Sequence, residues 1–328
     1  MHRILLTAGA GGTARLINRA LKRMFDDVNE VLYVSIRGLP HNDDAIAEDI
    51  ECKISNIVLC SRALKSITVR NLRRRDDVLS LVTSLASQKG SLKHLELTFN
   101  DIGQDAAAES LAKSLSALTG LHTLILSHND IGSAGAAYLA PSIELLTGLH
   151  MLHLSDNDMG SVGAASLAPS LMALTGLQKL MLANNYIGPA GAASLAPSLK
   201  ELTGLDLLDL SCSSLGPAGI ASLAPSLVGL TGLLTLDLAD NDMGPAGAAS
   251  LAPSLAMLTG LHTLILSYNN IGPAGTASLA PSLAMLSGLH TLNLSRNHIG
   301  TAGTTSLAPS LAMLTGLHTL ILQPMTWY

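Results

Sequence analysis

The sequence predicts an α/β solenoid in which one short strand and one helix recur along the chain. The first observation is a period of 28 residues, because "GLHTLILSYNNIGPAGTASLAPSLAML" at 260–286 returns with few changes at 288–314. The second is the pattern L-x-x-L-x-L at the start of each copy, which is typical of a short strand with one buried side. The third is an apolar run at helical spacing, as in Ala248, Leu251 and Leu255. Stacked copies predict a horseshoe with a parallel sheet on its concave face and helices on its convex face.

The copies, taken in order, fall into two parts of one continuous solenoid. Residues 1–91 hold degenerate copies, whose strand frames start at Met1, Val28 and Leu64. Residues 92–328 hold regular copies and end on a final strand; most of them read L-x-x-L-x-L-x-x-N-x-I-G before a Gly/Ala-rich turn. The first leucines of the regular copies are Leu92, Leu121, Leu149, Leu177, Leu205, Leu233, Leu261, Leu289 and Leu317.

The pattern L-x-x-L-x-L-x-x-N-x-I-G resembles that of the leucine-rich repeat family. The 28-residue period with G-A-x-x-L-A-x-x-L resembles its ribonuclease-inhibitor-like class. The resemblance covers the chain strongly from Leu92 onward and weakly before Leu64. It implies a protein-binding scaffold that is not an enzyme. Ran GTPase-activating proteins look similar over their repeats, as do the repeat regions of nucleotide-binding immune receptors. A regulator of a small GTPase and a sensor fragment of a larger receptor are therefore alternative functions.

One asparagine recurs just after the strand in nearly every regular copy. A buried amide in this slot can bond the backbone of its own turn and of the next copy, so we predict a structural ladder. Ser213 takes the slot in "SCSSLG" and predicts a local weak point, because its side chain is shorter. The ladder residues are Asn100, Asn129, Asn157, Asn185, Asn241, Asn269 and Asn297.

A proline recurs inside the apolar run, always within L-A-P-S. Proline in a helix interior removes a hydrogen bond and clashes with the preceding turn, so the convex element is predicted to be short, kinked or split there. Lys113 holds this slot in the copy that starts at Leu92, which predicts a more regular helix. The prolines are Pro141, Pro169, Pro197, Pro225, Pro253, Pro281 and Pro309.

Composition and charge indicate the cellular compartment in which the protein works. Residues 1–93 hold 15 of the 19 Lys and Arg with 10 acids, whereas residues 94–328 hold 4 basic residues with 14 acids. The three cysteines, Cys52, Cys60 and Cys212, match neither a disulfide framework nor a zinc site, which favours a reducing compartment and a cytoplasmic location. No apolar run is long enough to span a membrane, so no membrane association is expected.

Three other features have both a structural and a functional interpretation. Gly9, Gly11 and Gly12 follow an apolar strand, which fits a degenerate first copy better than a phosphate-binding turn. The run Arg73–Arg75 precedes a helix and is weak evidence for nucleic-acid binding, so none is expected. A histidine column at the strand starts fits copying of "GLHTL", with a weak pH response or metal binding as alternatives. Its members are His122, His150, His262, His290 and His318. We predict no cofactor, metal or catalytic residue.

We expect a partner to bind the residues that differ between copies. They lie at the outward strand positions and beside the asparagine slot, on the predicted concave face. Their acids predict a basic protein or peptide as partner, and tyrosine and arginine are common interface anchors. Asp209 and Asp237 are the stronger candidates because aspartate is disfavoured within strands. Self-association through uncapped ends stays open. The predicted binding residues are Asp156, Asp158, Tyr186, Asp209, Asp237, Asp240, Asp242, Tyr268 and Arg296.

Overall fold

A computed structural model describes residues 31–35, 58, 64–70, 75–103 and 105–322. The chain divides into two compact units, Met1–Asn157 and Asp158–Tyr328, here called the first and the second unit. Each unit repeats one strand and one helix, as an α/β solenoid does. The predicted change from degenerate to regular copies at residue 92 stays a prediction about sequence.

The described part of the first unit holds parallel strands paired in chain order and helices between them. The three helices α1 to α3 begin after β2, β3 and β4, and a 3₁₀ turn at Leu85–Gln88 follows α1. The elements are β1 Val31–Ser35, β2 Ser66–Arg70, α1 Arg75–Ser84, β3 His94–Thr98, α2 Asp105–Leu115, β4 Thr123–Ile125, α3 Gly132–Glu144 and β5 Met151–His153.

The second unit continues the alternation with shorter strands of three residues each. All its strands are parallel and pair with their neighbours in chain order. The elements are α4 Gly160–Met172, β6 Lys179–Met181, α5 Gly188–Glu201, β7 Leu207–Asp209, α6 Gly216–Leu227, β8 Thr235–Asp237, α7 Gly244–Leu255, β9 Thr263–Ile265, α8 Gly272–Leu283, β10 Thr291–Asn293, α9 Gly300–Met313 and β11 Thr319–Ile321.

The core consists of aliphatic layers that repeat with the period. In the copy that starts at Leu233, the central strand leucine Leu236 and the helix leucines Leu251 and Leu255 are fully buried. Leu236 pairs in register with the equivalent leucines of β7 and β9, so each layer continues into the next copy. The predicted parallel sheet and amphipathic helices are confirmed.

The helices run through their prolines without interruption, so the splitting predicted at this slot does not occur. The proline-bearing helices have 12 to 14 residues, and α2, which carries Lys113, has 11. Pro141 and Ala137, whose carbonyl loses its helical partner, are both exposed. Water therefore reaches the place where the hydrogen bond is missing, which makes the proline tolerable.

In several copies the serine after the proline forms a ladder that the sequence did not suggest. Ser254 is 3% exposed, and its Oγ donates to the carbonyl oxygen of Ala224, one copy earlier, at 2.6 Å. Ser226 donates to Ala196 in the same way, also at 2.6 Å. L-A-P-S thus provides both the carbonyl and the hydroxyl that join consecutive helices.

The asparagines form a second ladder, in the turns that follow the strands. Asn269 donates from Nδ2 to the carbonyl oxygen of Leu238 at 2.7 Å, and its Oδ1 accepts from the backbone N–H of Asn241 at 3.1 Å. Ser213 reaches the equivalent carbonyl, that of Leu182, only at 3.4 Å. Ladder asparagines are at most 1% exposed, so these bonds lie in a dry environment.

A glycine near the start of helix α8 permits close packing against the preceding helix. At Gly275, an added Cβ would lie 3.0 Å from the Cα of Pro245 in the preceding helix. A contact of this length is tighter than nine in ten real Cβ contacts, so the glycine of the G-P-A-G segment lets consecutive helices approach closely.

Candidate partner-binding face

The residues directly before and after each ladder asparagine share a left-handed backbone. Their φ values lie between +48° and +60°, and within the described residues every non-glycine residue with positive φ belongs to these two slots. We call the two slots the flanking slots, and the exposed strand positions together with them the sheet face. Asp and Asn tolerate this conformation, whereas Tyr, Arg and Cys rarely adopt it.

Two carboxylates lie opposite each other on neighbouring strands of the second unit. Asp209 ends β7 and Asp237 ends β8, and the two residues pair in register. Both are half-buried. Asp209 Oδ1 accepts from the N–H and the hydroxyl of Ser211 at 3.0 and 2.7 Å, and Asp237 Oδ1 accepts from the N–H of Ala239 at 2.9 Å. Like charges directly opposite in a sheet destabilise the folded state.

Burial raises the pKa of Asp237 to about 6, and the charge of Asp209 adds to the effect, against the opposing hydrogen bond from Ala239. The raised pKa reflects the burial of a carboxylate beside a second one. Among the residues that the structure describes, no Lys, Arg or His lies within ion-pair distance of Asp209 or Asp237. A cation supplied by another molecule would stabilise both charges.

Two further acids occupy the flanking slots of the copy that contains Asp237. Asp240 and Asp242 are exposed. Asp242 Oδ1 accepts from Asn270 Nδ2 at 2.8 Å, and Cys212 Sγ lies 3.8 Å from Asp240 Oδ2. Burial and then the charge of Asp240 raise the pKa of the Cys212 thiol, which keeps it protonated and poorly nucleophilic.

Aromatic and cationic side chains lie on both sides of these acids along the second unit. Tyr186 and Tyr268 are 59% and 54% exposed, although large aromatic rings usually bury most of their surface. The guanidinium carbon of Arg296 lies 5.8 Å from the ring centroid of Tyr268, within cation–π range. Asp158 is also exposed, in the flanking slot before Met159.

The first unit differs, because its predicted acid already has a partner. His128 Nε2 lies 3.4 Å from Asp156 Oδ2, and the His128 ring stacks on Phe99 with centroids 4.1 Å apart. Glu96 occupies an outward strand position, but it is buried and accepts from Arg70 Nε at 2.6 Å. Burial alone would raise the pKa of Glu96, but hydrogen bonds from His94 and Arg70 hold it below its usual value.

The histidine column forms two rows of exposed rings in contact, in which only His262 and His290 are stacked. His262 and His290 have centroids 4.7 Å apart, His290 and His318 5.4 Å, and in the first unit His122 and His150 5.1 Å. No cluster of three or more metal-ligating side chains occurs within the described ranges. Gly9, Gly11, Gly12, Cys52, Cys60 and the side chains of Arg73–Arg75 lie outside the part that the structure describes.

Comparison with known proteins identifies the repeat. A sequence model of the family described as Leucine Rich repeat matches residues 91–112, 118–140, 149–168, 231–252, 259–280 and 289–308. The leucine-rich repeat-containing protein LegL7 of Legionella pneumophila is similar over 96% of this chain and 98% of its own, with 20% identity and a TM-score of 0.52. An internalin of Listeria monocytogenes is similar over 94% and 93%, with 18% identity and a TM-score of 0.49. No curated protein matches the sequence.

Alternating strands and helices, joined from copy to copy by two hydrogen-bond ladders, define a solenoid of the repeat-protein class. The matched stretches, together with the likeness of the fold, go further: this chain is a leucine-rich repeat protein. Its 28-residue period is consistent with the ribonuclease-inhibitor-like class, which stays a prediction. Within the described residues, the search for a helix long and apolar enough to cross a membrane finds none.

Proposed function

We propose that this chain is a cytoplasmic, non-catalytic scaffold that binds a basic protein or peptide on the sheet face of its second unit. Leucine-rich repeats and the similar structures support an interaction scaffold in general. The proposed contacts are the acids Asp209, Asp237, Asp240 and Asp242, with Tyr186, Tyr268 and Arg296 as anchors. Asp158 extends this set, whereas Asp156 is already paired with His128. Carboxylates repel phosphate groups, so the proposed partner is a protein rather than a nucleic acid.

The observation that carries the proposal is the facing pair Asp209 and Asp237. Two half-buried carboxylates without a compensating cation among the described residues cost folding free energy. A Lys or Arg of a partner would remove that cost and gain charge-assisted hydrogen bonds. The pair therefore favours a cationic ligand over a neutral one.

The backbone of the flanking slots supports the same conclusion. Tyr186, Tyr268 and Arg296 have φ values of +50°, +56° and +59°. A left-handed conformation costs about 1 to 2 kcal/mol for an ordinary L-residue. Strained residues concentrate at functional sites, and these three are also the types that dominate protein interfaces.

The test compares two variants that each neutralise three acids. Asp209→Asn, Asp237→Asn and Asp240→Asn together should abolish capture of the partner from lysate of the source cell, at low salt above all. The matched control, Glu109→Gln, Glu144→Gln and Glu201→Gln, removes three exposed acids from the helices and should capture as the wild type does. Mass spectrometry identifies the captured protein, and titration of the purified partner gives the affinity.

Equal capture by both variants would move the interface away from the sheet face of the second unit. Circular dichroism establishes that both variants are folded. A captured protein that is acidic would also contradict the proposal, because the contacts require a cationic surface.

A further inference from the structure

Three consecutive copies place different chemistry at one slot of the sheet face. The slot directly before the ladder asparagine holds Asp240, then Tyr268, then Arg296. The strands that precede these residues, β8, β9 and β10, are parallel and paired in register. Neighbouring strands lie about 4.8 Å apart, so the slots of Asp240 and Arg296 are separated by about 10 Å.

The two ends of this row are charged and not neutralised by their surroundings. Asp240 adds to the carboxylate pair Asp209 and Asp237. Arg296 is exposed, and no carboxylate of the described residues lies within ion-pair distance of it. Asp240 and Arg296 are two copies apart and do not pair with each other.

The guanidinium of Arg296 is restrained before any partner arrives. Its position over the Tyr268 ring limits its freedom, and Arg offers a planar fork of donors that matches a carboxylate. Binding an anion therefore costs less side-chain entropy here than at an unrestrained arginine. The uncovered part of the Tyr268 ring provides an apolar contact between the two charged ends.

We infer that the bound segment is dipolar, with a basic side chain over Asp237 and Asp240 and a carboxylate over Arg296. This inference rests on the proposed function and specifies its ligand. A polyproline II segment rises about 3.1 Å per residue with three residues per turn, so side chains i and i+3 lie on one face about 9.3 Å apart. That spacing matches the separation of about 10 Å between the slots of Asp240 and Arg296. The recognised motif is a basic residue and an acidic residue three positions apart in an extended, proline-rich segment.

Two fluorescein-labelled peptides test this spacing of charges. One carries Arg-Pro-Pro-Glu and the other Arg-Pro-Pro-Arg, between identical Gly-Ser flanks, and fluorescence anisotropy with the full chain at low ionic strength measures both. The peptide with glutamate should bind about threefold to tenfold more tightly, because it replaces repulsion at Arg296 by attraction. Arg296→Glu should reverse that preference. Lys200→Glu, an exposed charge reversal on helix α5, should leave it unchanged.

Two results would overturn the inference while keeping the proposed function. One is equal or tighter binding of the Arg-Pro-Pro-Arg peptide, lost in the variant with Asp209, Asp237 and Asp240 changed to Asn. The other is a preference for glutamate that persists in Arg296→Glu, since the carboxylate would then be bound elsewhere. Failure of both peptides to bind also overturns the inference, and the capture experiment judges the proposed function independently.

Discussion

At the scale of single residues, the sheet face combines strain with unneutralised charge. Tyr268 and Arg296 hold backbone conformations that suit glycine or asparagine, and Asp209 faces Asp237 across two strands. Neither feature contributes to folding stability. Both become favourable when a ligand with a cation covers the face, so removing them should separate stability from binding.

Replacing Asp237 by Asn should stabilise the chain at neutral pH and not in acid. The folded-state pKa of about 6 lies above the ordinary value of 3.8, so the folded protein holds the proton more tightly than the unfolded chain. That stability is fully present below about pH 4 and is lost as the pH rises through 6. Urea unfolding at pH 7.5 should show a gain of about 1 to 2 kcal/mol for Asp237→Asn, allowing for screening of a half-buried group.

The same substitution, Asp237→Asn, is also measured in a chain that carries Asp209→Asn. Without the neighbouring charge, Asp237→Asn should stabilise less, so the two substitutions should couple in a double-mutant cycle. A stability gain that stays the same at pH 3.5 and pH 7.5 would show that titration of Asp237 is not its cause.

Replacing Tyr268 by Asn should raise stability and weaken partner binding. Asn tolerates a φ of +56° better than Tyr does. Asn184 already occupies the same slot three copies earlier in the chain. We expect a gain of about 0.5 to 1 kcal/mol after the cation–π contact with Arg296 is lost. Tyr138→Asn, at an exposed position of helix α3, is the control and should destabilise. Loss of stability in both variants would refute the argument from strain.

At the scale of elements, the copies are joined by hydrogen bonds at two places. The asparagine ladder joins the turns after the strands, and the serine ladder joins consecutive helices. Both lie among buried side chains, where an unmade hydrogen bond costs more than a made one contributes. A substitution in either ladder should therefore destabilise two neighbouring copies.

Replacing Ser254 by Ala should cost about 1 to 2 kcal/mol, because the carbonyl oxygen of the buried residue Ala224 loses this donor. Ser250, in the same helix, is half-buried and donates only to Ala246 of its own helix at 3.0 Å. Ser250→Ala is therefore the control and should be within about 0.5 kcal/mol of the wild type. Urea unfolding of both variants measures the difference, and equal values would mean that the serine ladder adds nothing.

Replacing Ser213 by Asn should complete the asparagine ladder and stabilise the second unit by about 1 kcal/mol. The amide would shorten the contact with the Leu182 carbonyl from 3.4 Å to the 2.7 Å found at Asn269. The reverse change, Asn269→Ser, should destabilise by a larger amount, because it leaves the N–H of Asn241 without its acceptor. Thermal unfolding compares the two, and a loss of stability in Ser213→Asn would contradict the ladder at this slot.

The sequence is sufficient for the period, the strand frame and the buried leucine layers, because each follows from letters that recur at fixed spacing. It did not reveal the serine ladder, since the acceptor of Ser254 is Ala224, 30 residues away. The prolines led to a prediction of split helices, because their exposure to water is visible only in the folded chain. The outward strand positions are predicted to be open, yet Glu96 at one of them is buried, because it forms an ion pair with Arg70 of the neighbouring degenerate strand.

The flanking slots could have been found earlier from one signal. Asp, Asn and Ser are frequent there, as at Asp101, Asp130, Ser214 and Asn270, and such residues are common where the backbone is left-handed. Tyr and Arg in the same slots then stand out as exceptions. The predicted binding residues themselves stay a proposal, which the capture experiment decides.

At the scale of the whole molecule, stability is a sum over copies and their nearest neighbours. Leu264 and Leu292, at the centres of β9 and β10, are fully buried, whereas the equivalent Leu320 of β11 is 39% exposed. Local stability should therefore fall towards β11 within the described part of the second unit.

Hydrogen exchange measures that gradient directly. The backbone amides of Thr319 and His318 should exchange at least tenfold faster than those of Thr263 and His262, because the hydrophobic layer around Leu320 is incomplete. Equal protection of β9 and β11 would show that the second unit opens only as a whole.

The identical junctions between copies have a consequence for how such a surface changes over generations. Since asparagine hydrogen bonds of the same kind join the copies that start at Leu233, Leu261 and Leu289, recombination can insert or delete a complete copy without creating a new kind of joint. The distance between the carboxylates and Arg296 then changes by about 4.8 Å for each copy that is inserted or deleted. Ligand length becomes a heritable variable governed by copy number, whereas ligand charge is governed by point substitution in the flanking slots.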